Sequence, residues 1–218
     1  MKTTFYSFVL LLFTTGVFAQ TIKERITPKR NYVNLAFVYQ KNIFEKSASP
    51  LESSKSWFGA AAELGLTYFI NEKNPASDIL YFGLDLSYLD IQFNSFKLED
   101  TSGGVNRRDQ YTNFANLGIQ LGPSLTIMPK ERLSVNVFVH YAPSVAAYAL
   151  PNYDYVYYGY AGYITAGAKV ALRYVSIGFE TRYTETKLSY SGGNAEIKRT
   201  NPLALKIPNT RVILGFRF

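Results

Sequence analysis

Apolar and polar side chains alternate along most of this chain with a period of two. That is strand spacing, because successive side chains of a β-strand point to opposite faces. In "NYVNLAFVYQ" the apolar set is Val33, Leu35, Phe37 and Tyr39. "WFGAAAELGLTYF" groups Phe58, Ala60, Ala62, Leu64, Leu66 and Tyr68 against Gly59, Ala61, Glu63, Gly65 and Thr67. "ILYFGLDLSY" sets Leu80 to Tyr88 at even positions against Gly83, Asp85 and Ser87. "NLGIQLG", "LSVNVFVHY", "YAGYITAGAKVALRY", "VSIGFETRY" and the terminal "RVILGFRF" repeat the pattern. On their polar faces stand Gln120, His140, then Lys169 with Arg173, Glu180 with Arg182, and Arg211. The pattern predicts eight strands and no helix.

The connections have a rhythm of their own: long, moderate, long, short, long, tight, long. The long stretches are Asn42–Ser56, Asn94–Asp109, Ala149–Tyr158 and Ser189–Pro202, and the shorter ones are Asn71–Asp78, Met128–Arg132 and Arg173–Tyr174. Alternating long loops and short turns between about ten-residue strands is the pattern of a transmembrane barrel, with long loops outside and short turns in the periplasm. An even strand count puts both ends of the barrel on the periplasmic side.

The first residues give a compartment. "MKTTFYSFVLLLFTTGVFAQ" has a basic start, a short apolar run and a small-residue cut site before Gln20. These are the parts of a secretory signal peptide, and the run is shorter than a membrane helix requires. The organisation expected is a signal peptide over 1–19, a short periplasmic segment over 20–30 and a β-barrel over 31–218.

Composition sharpens this picture at three points. The chain has no Cys, so no disulfide framework supports it. Mean hydropathy is only −0.06, which is compatible with a barrel because lipid-facing and lumen-facing residues cancel in an average. Aromatics make up 16% of residues, with 18 Tyr and 16 Phe, and they fall where interfacial girdles belong. Tyr39, Phe58, Tyr88, Tyr141, Tyr160 and Tyr183 mark one rim; Tyr68, Phe82, Tyr174, Phe216 and Phe218 mark the other. A soluble lipocalin-like barrel would carry its apolar residues inside instead. The net charge of +7 is dispersed, which argues against nucleic acid as a partner. Its clusters at Lys23–Arg30, Arg107–Arg108 and Lys198–Arg199 read as solvated loop charge or as attraction to lipid phosphates.

On these features the chain resembles the small, eight-stranded porin-family barrels of the Gram-negative outer membrane. The resemblance covers residues 31–218. It implies an antiparallel up-and-down transmembrane β-barrel in the cell outer membrane, in contact with lipid and lipopolysaccharide. In that family the last strand ends on an aromatic with apolar residues at alternate places before it, and the assembly machinery reads this as an insertion signal. Val212, Leu214, Phe216 and Phe218 match that pattern.

The candidate chemistry lies on the inward faces. Glu63, Asp85, Lys169, Glu180, Arg182 and Arg211 are expected to share a layer of the lumen, allowing for barrel stagger, three carboxylates against three cations, with His140 and Gln120 near the same height. A balanced belt of this kind plugs a narrow barrel. The expected role is therefore structural or surface interaction, with the long loops holding an unnamed partner. The alternative is a narrow channel or small-solute transporter. Inward glycines at 65, 83, 118, 167 and 178 favour that alternative by leaving room for water. A lipid-modifying enzyme is a third reading, and it would have to use His140 with Ser144. No spacing suggests a metal or a cofactor.

Overall fold

The computed structural model describes residues 30–44, 54–71, 79–98, 110–130, 132–150, 155–191 and 202–218. The expected signal peptide over 1–19 and nearly all of the 20–30 segment lie outside the described residues. So do the greater part of three of the long loops and residues 151–154 of the fourth, together with the Arg107–Arg108 and Lys198–Arg199 clusters.

Every alternating segment is a strand, and most run well past the stretch that the apolar pattern marks. β1 spans Asn31–Phe44, β2 Ser54–Phe69, β3 Leu80–Leu98, β4 Gln110–Lys130, β5 Leu133–Leu150 and β6 Tyr155–Leu172. β7 covers Val175–Tyr183, β8 Glu185–Ser191, β9 Leu203–Lys206 and β10 Asn209–Arg217. All pairings are antiparallel, and neighbours in sequence are neighbours in the sheet from β1 to β7. β10 pairs with both β7 and β1, which closes the sheet into a ring.

The eight expected strands appear as ten segments on eight staves. β8 continues the line of β7 beside β6, and β9 continues the line of β10 beside β1. Pro208 separates β9 from β10, since proline has no N–H to give the ladder. Its carbonyl still accepts from Lys41 N at 3.0 Å. The last joint of the ring is made by backbone. Asn31 N donates to Phe218 O (3.2 Å) and Phe218 N to Asn31 O (3.0 Å).

Two local departures set which side chains enter the lumen. A bulge in β3 between Ser87 and Asp90 leaves Tyr88 and Leu89 both facing out, and every later residue of β3 changes face. Arg173 continues the inward alternation of its segment in sequence, but it is exposed at φ 60° in the two-residue turn between β6 and β7, the tight connection expected at Arg173–Tyr174.

Along its axis the ring has two regimes. Near the turns, outward residues are apolar and inward residues largely polar, interspersed with Phe69, Tyr81, Phe138 and Ile213. Toward the loops an apolar cluster fills the interior, with Phe44, Phe96, Phe114, Tyr148, Leu188 and Leu205 among its buried members, and the outer face is mixed, with Val156 and Tyr158 exposed there beside charged residues. Lys97, Glu185 and Lys187 are on the exposed outer side at that level.

Candidate functional site: the charged lumen

Asp90 is the centre of the lumen. Its Oδ1 accepts from Arg211 Nη1 at 2.8 Å and its Oδ2 from Arg182 Nη1 at 2.6 Å. Glu180 sits against the same two guanidiniums: Arg182 Nε donates to its Oε1, and Arg211 Nη1 lies 3.6 Å from it. Antiparallel register brings these groups together, because Arg211 is the partner of Glu180 across β10 and β7, two residues from Arg182. Gln92 extends the cluster upward. Its Oε1 accepts from Arg211 Nη2 (2.6 Å), and its Nε2 donates to Gln40 Oε1 and Asn94 Oδ1 (2.6 Å each). Asp90, Glu180, Arg182 and Arg211 are each no more than 1% exposed.

A second tier lies toward the turns, beginning at Glu63, which is the cross-strand partner of Asp90. Glu63 accepts from Asn34 Nδ2 at 2.7 Å and from the Tyr32 hydroxyl at 3.3 Å, with Lys169 Nζ at 4.0 Å. Lys169 Nζ also sits over the rings of Phe138 (4.7 Å) and Tyr32 (5.1 Å). Asp85 accepts from Ser124 Oγ at 2.9 Å and faces His140 Nε2 at 3.2 Å. The other ring nitrogen of His140 faces Gln120 Oε1 at 3.2 Å, and the imidazole stacks on Phe138 at 4.5 Å between centroids. Ser144 Oγ donates to Ala142 O, and both nitrogens of His140 are engaged elsewhere.

All six residues predicted for the lumen are inward and buried, in two staggered tiers. The tilt of the staves carries Asp85 and Lys169 below Glu180 and Arg211. Sequence reasoning missed Asp90 and Arg217, both buried. Even-numbered alternation from Leu80 to Tyr88 places Asp90 outside, and the bulge reverses that. The signal was present in the sequence: apolar positions shift from even to odd at Leu89, Ile91 and Phe93. With both additions, the buried charges among the described residues are Glu63, Asp85, Asp90 and Glu180 against Lys169, Arg182, Arg211 and Arg217. The balance is kept.

The inward glycines need correction too. They are niches for neighbouring side chains, not room for water. A Cβ on Gly167 would lie 2.5 Å from Phe138 Cζ, and one on Gly178 2.6 Å from Lys169 Cγ. The Tyr32 phenol takes the space at Gly65.

Outside, at the level of this charged interior, every stave presents apolar side chains. Leu35, Phe37, Leu84, Ile91, Leu117, Val139, Ile164, Ile177 and Leu214 are each at least 42% exposed. Val212, Phe216 and Phe218 share that outer face. A closed ring without edges, apolar outside and ionic inside, satisfies its backbone and its surface only in hydrocarbon. The chain is a transmembrane β-barrel.

No protein-family model and no curated protein matches the barrel. Among solved structures it is similar to the attachment invasion locus protein Ail of Yersinia pestis, at 10% identity and a TM-score of 0.44, covering 88% of this chain and 100% of that one. Neisserial surface protein A is similar at 12% identity and 0.45, covering 86% and 97%. The outer membrane protease OmpT of Escherichia coli is similar at 8% and 0.43, covering 89% and 100%. Likenesses of this degree decide nothing by themselves. The placement of the barrel in a membrane rests on its own two faces.

Proposed function

We propose that this outer-membrane barrel is a closed strut whose work is done on its external surface, and not a pore. The observation that carries the reading is the pair of guanidiniums held on Asp90 across the full width of the lumen. Eight staves enclose an interior that side chains can just fill, and here they fill it with paired charges of both signs. An ion path would more often show one sign in excess. The engaged nitrogens of His140 support a non-catalytic role, since acyl transfer needs a base beside its nucleophile. The outward row of Val212, Leu214, Phe216 and Phe218 is read as the contact for the assembly machinery.

Bilayer recording on refolded protein tests the closed lumen. Wild type is expected to give no steady conductance. Steady, ion-selective current that changes with Asp90→Ala would replace this reading with the narrow channel.

A further inference from the structure

Among the described residues the lumen buries four cations, Lys169, Arg182, Arg211 and Arg217. The first three stand against a carboxylate. Arg217 does not. Alternation along β10 turns it inward, where it is only 5% exposed. Among the described residues its guanidinium has no hydrogen-bond acceptor and no ion pair; its contact is the Tyr32 ring, at 5.9 Å. Glu63 and Asp85 act on it only through space. Their oxygens are occupied, by Asn34 and Tyr32 in one case and by Ser124 and His140 in the other. A guanidinium carries five N–H donors in a fixed fork, and leaving them unmet in a buried place is costly.

The neighbours of Arg217 share the shortage of acceptors. Ser176 pairs with Gly215, two residues back along β10, and its hydroxyl is buried without a partner. That hydroxyl occupies the niche of Gly215, where an added Cβ would lie 2.3 Å from Ser176 Oγ. Lys169 Nζ is 4.0 Å from Glu63, too far for a hydrogen bond. It stands against the same Tyr32 ring as Arg217, so two cations meet at one phenol. The place is the turn-side end of the barrel. Arg217 pairs with Tyr32 near the start of β1, and its backbone N–H donates to Tyr174 O, in the β6–β7 turn, at 2.8 Å. Here the lumen keeps some accessible surface: Arg217, Lys169 and Ser124 are 5%, 4% and 6% exposed, against at most 1% for the four charges around Asp90.

We propose that Arg217, with the Ser176 hydroxyl and the Lys169 ammonium, binds a small oxyanion, a phosphate or a carboxylate, that enters from the periplasmic end of the barrel. The guanidinium fork matches two oxygens of such an anion. Ser176 offers a further donor, and Lys169 adds positive charge at the same ring. A halide would meet the charge without using the fork, so the site selects for oxygen. It lies on the turn side of Asp90 and is independent of the strut reading.

Refolded barrel in detergent micelles is titrated with sodium phosphate, sodium acetate and sodium chloride at matched pH and ionic strength. The arginine Nε–H signals are followed by NMR. Arg217 is expected to shift along a saturating curve with phosphate or acetate and not with chloride. Whichever saturates at the lower concentration identifies the source as a phosphate or a carboxylate. Arg182 and Arg211, bonded to Asp90, are expected to stay in place. No shift at Arg217, an equal shift with chloride, or a response confined to the exposed Arg132 and Arg173 overturns the proposal. Read from the backbone amides of Ser176 and Asn34, R217Q is expected to weaken binding at least ~10-fold, the scale of hydrogen bonds to a charged group. Should R217Q not fold, S176A is expected to weaken it about fivefold, the scale of one neutral hydrogen bond. Unchanged affinity in the variant that folds also overturns the site.

Discussion

Two oxygens of Asp90 serve two guanidiniums, and this uneven division of labour ranks the charged residues of the lumen. Removing one partner from a buried ion pair costs about 3–5 kcal/mol, mainly because the other charge stays buried without its partner. Asp90→Ala is expected to reach that range, since it deprives Arg182 and Arg211 together. Lys169→Ala is expected to cost only about 1 kcal/mol, near the value of a modest hydrogen bond. Its ammonium is 4.0 Å from Glu63, and Glu63 keeps Asn34 and Tyr32 as donors. Denaturant unfolding of both variants in lipid vesicles checks the order, and equal losses would contradict it.

The strands show which parts of this fold a sequence discloses. Where lipid is outside, apolar alternation is dense and the faces of all eight staves were legible, from Val33 to Phe218. Beyond the band the same period continues, with apolar residues now inside as well and the outer face mixed. In β8, Leu188 is buried while Glu185 and Lys187 are out, so a search for an apolar outer face passes over it as loop. The β3 bulge concealed Asp90 for a related reason: alternation predicts a face only while the register holds. The size of the glycine niches was not legible either, because it depends on which side chain the neighbouring strand brings opposite each glycine. β10 separates two roles that sequence alone merges. Its clasp to Asn31 uses backbone atoms of Phe218, whereas the ring of Phe218 is 60% exposed on the outer face. Phe218→Asp is therefore expected to lower the amount of barrel in the outer membrane sharply. The unfolding free energy of refolded protein should change by no more than about 1 kcal/mol, as for a charge near the interface. Normal levels in the membrane would remove the assembly role.

For the molecule as a whole, the orientation follows from which rim holds the short turns. Cysteine introduced at Lys187 is expected to react with an impermeant maleimide on intact cells, and cysteine at Arg132 to react only after lysis. The opposite result would turn the barrel over. The appearance of charge on the outer face above the apolar band, at Lys97, Glu185 and Lys187, then does for this protein what a painted waterline does for a hull. If the barrel sank, Lys97 and Lys187 would enter oil; if it rose, Leu35, Leu84 and Ile177 would meet water. Both moves are resisted, so its draught is fixed by its own side chains. When the surrounding bilayer is thicker or thinner than the band, the lipid must stretch or compress to meet it, because this hull neither rides up nor settles.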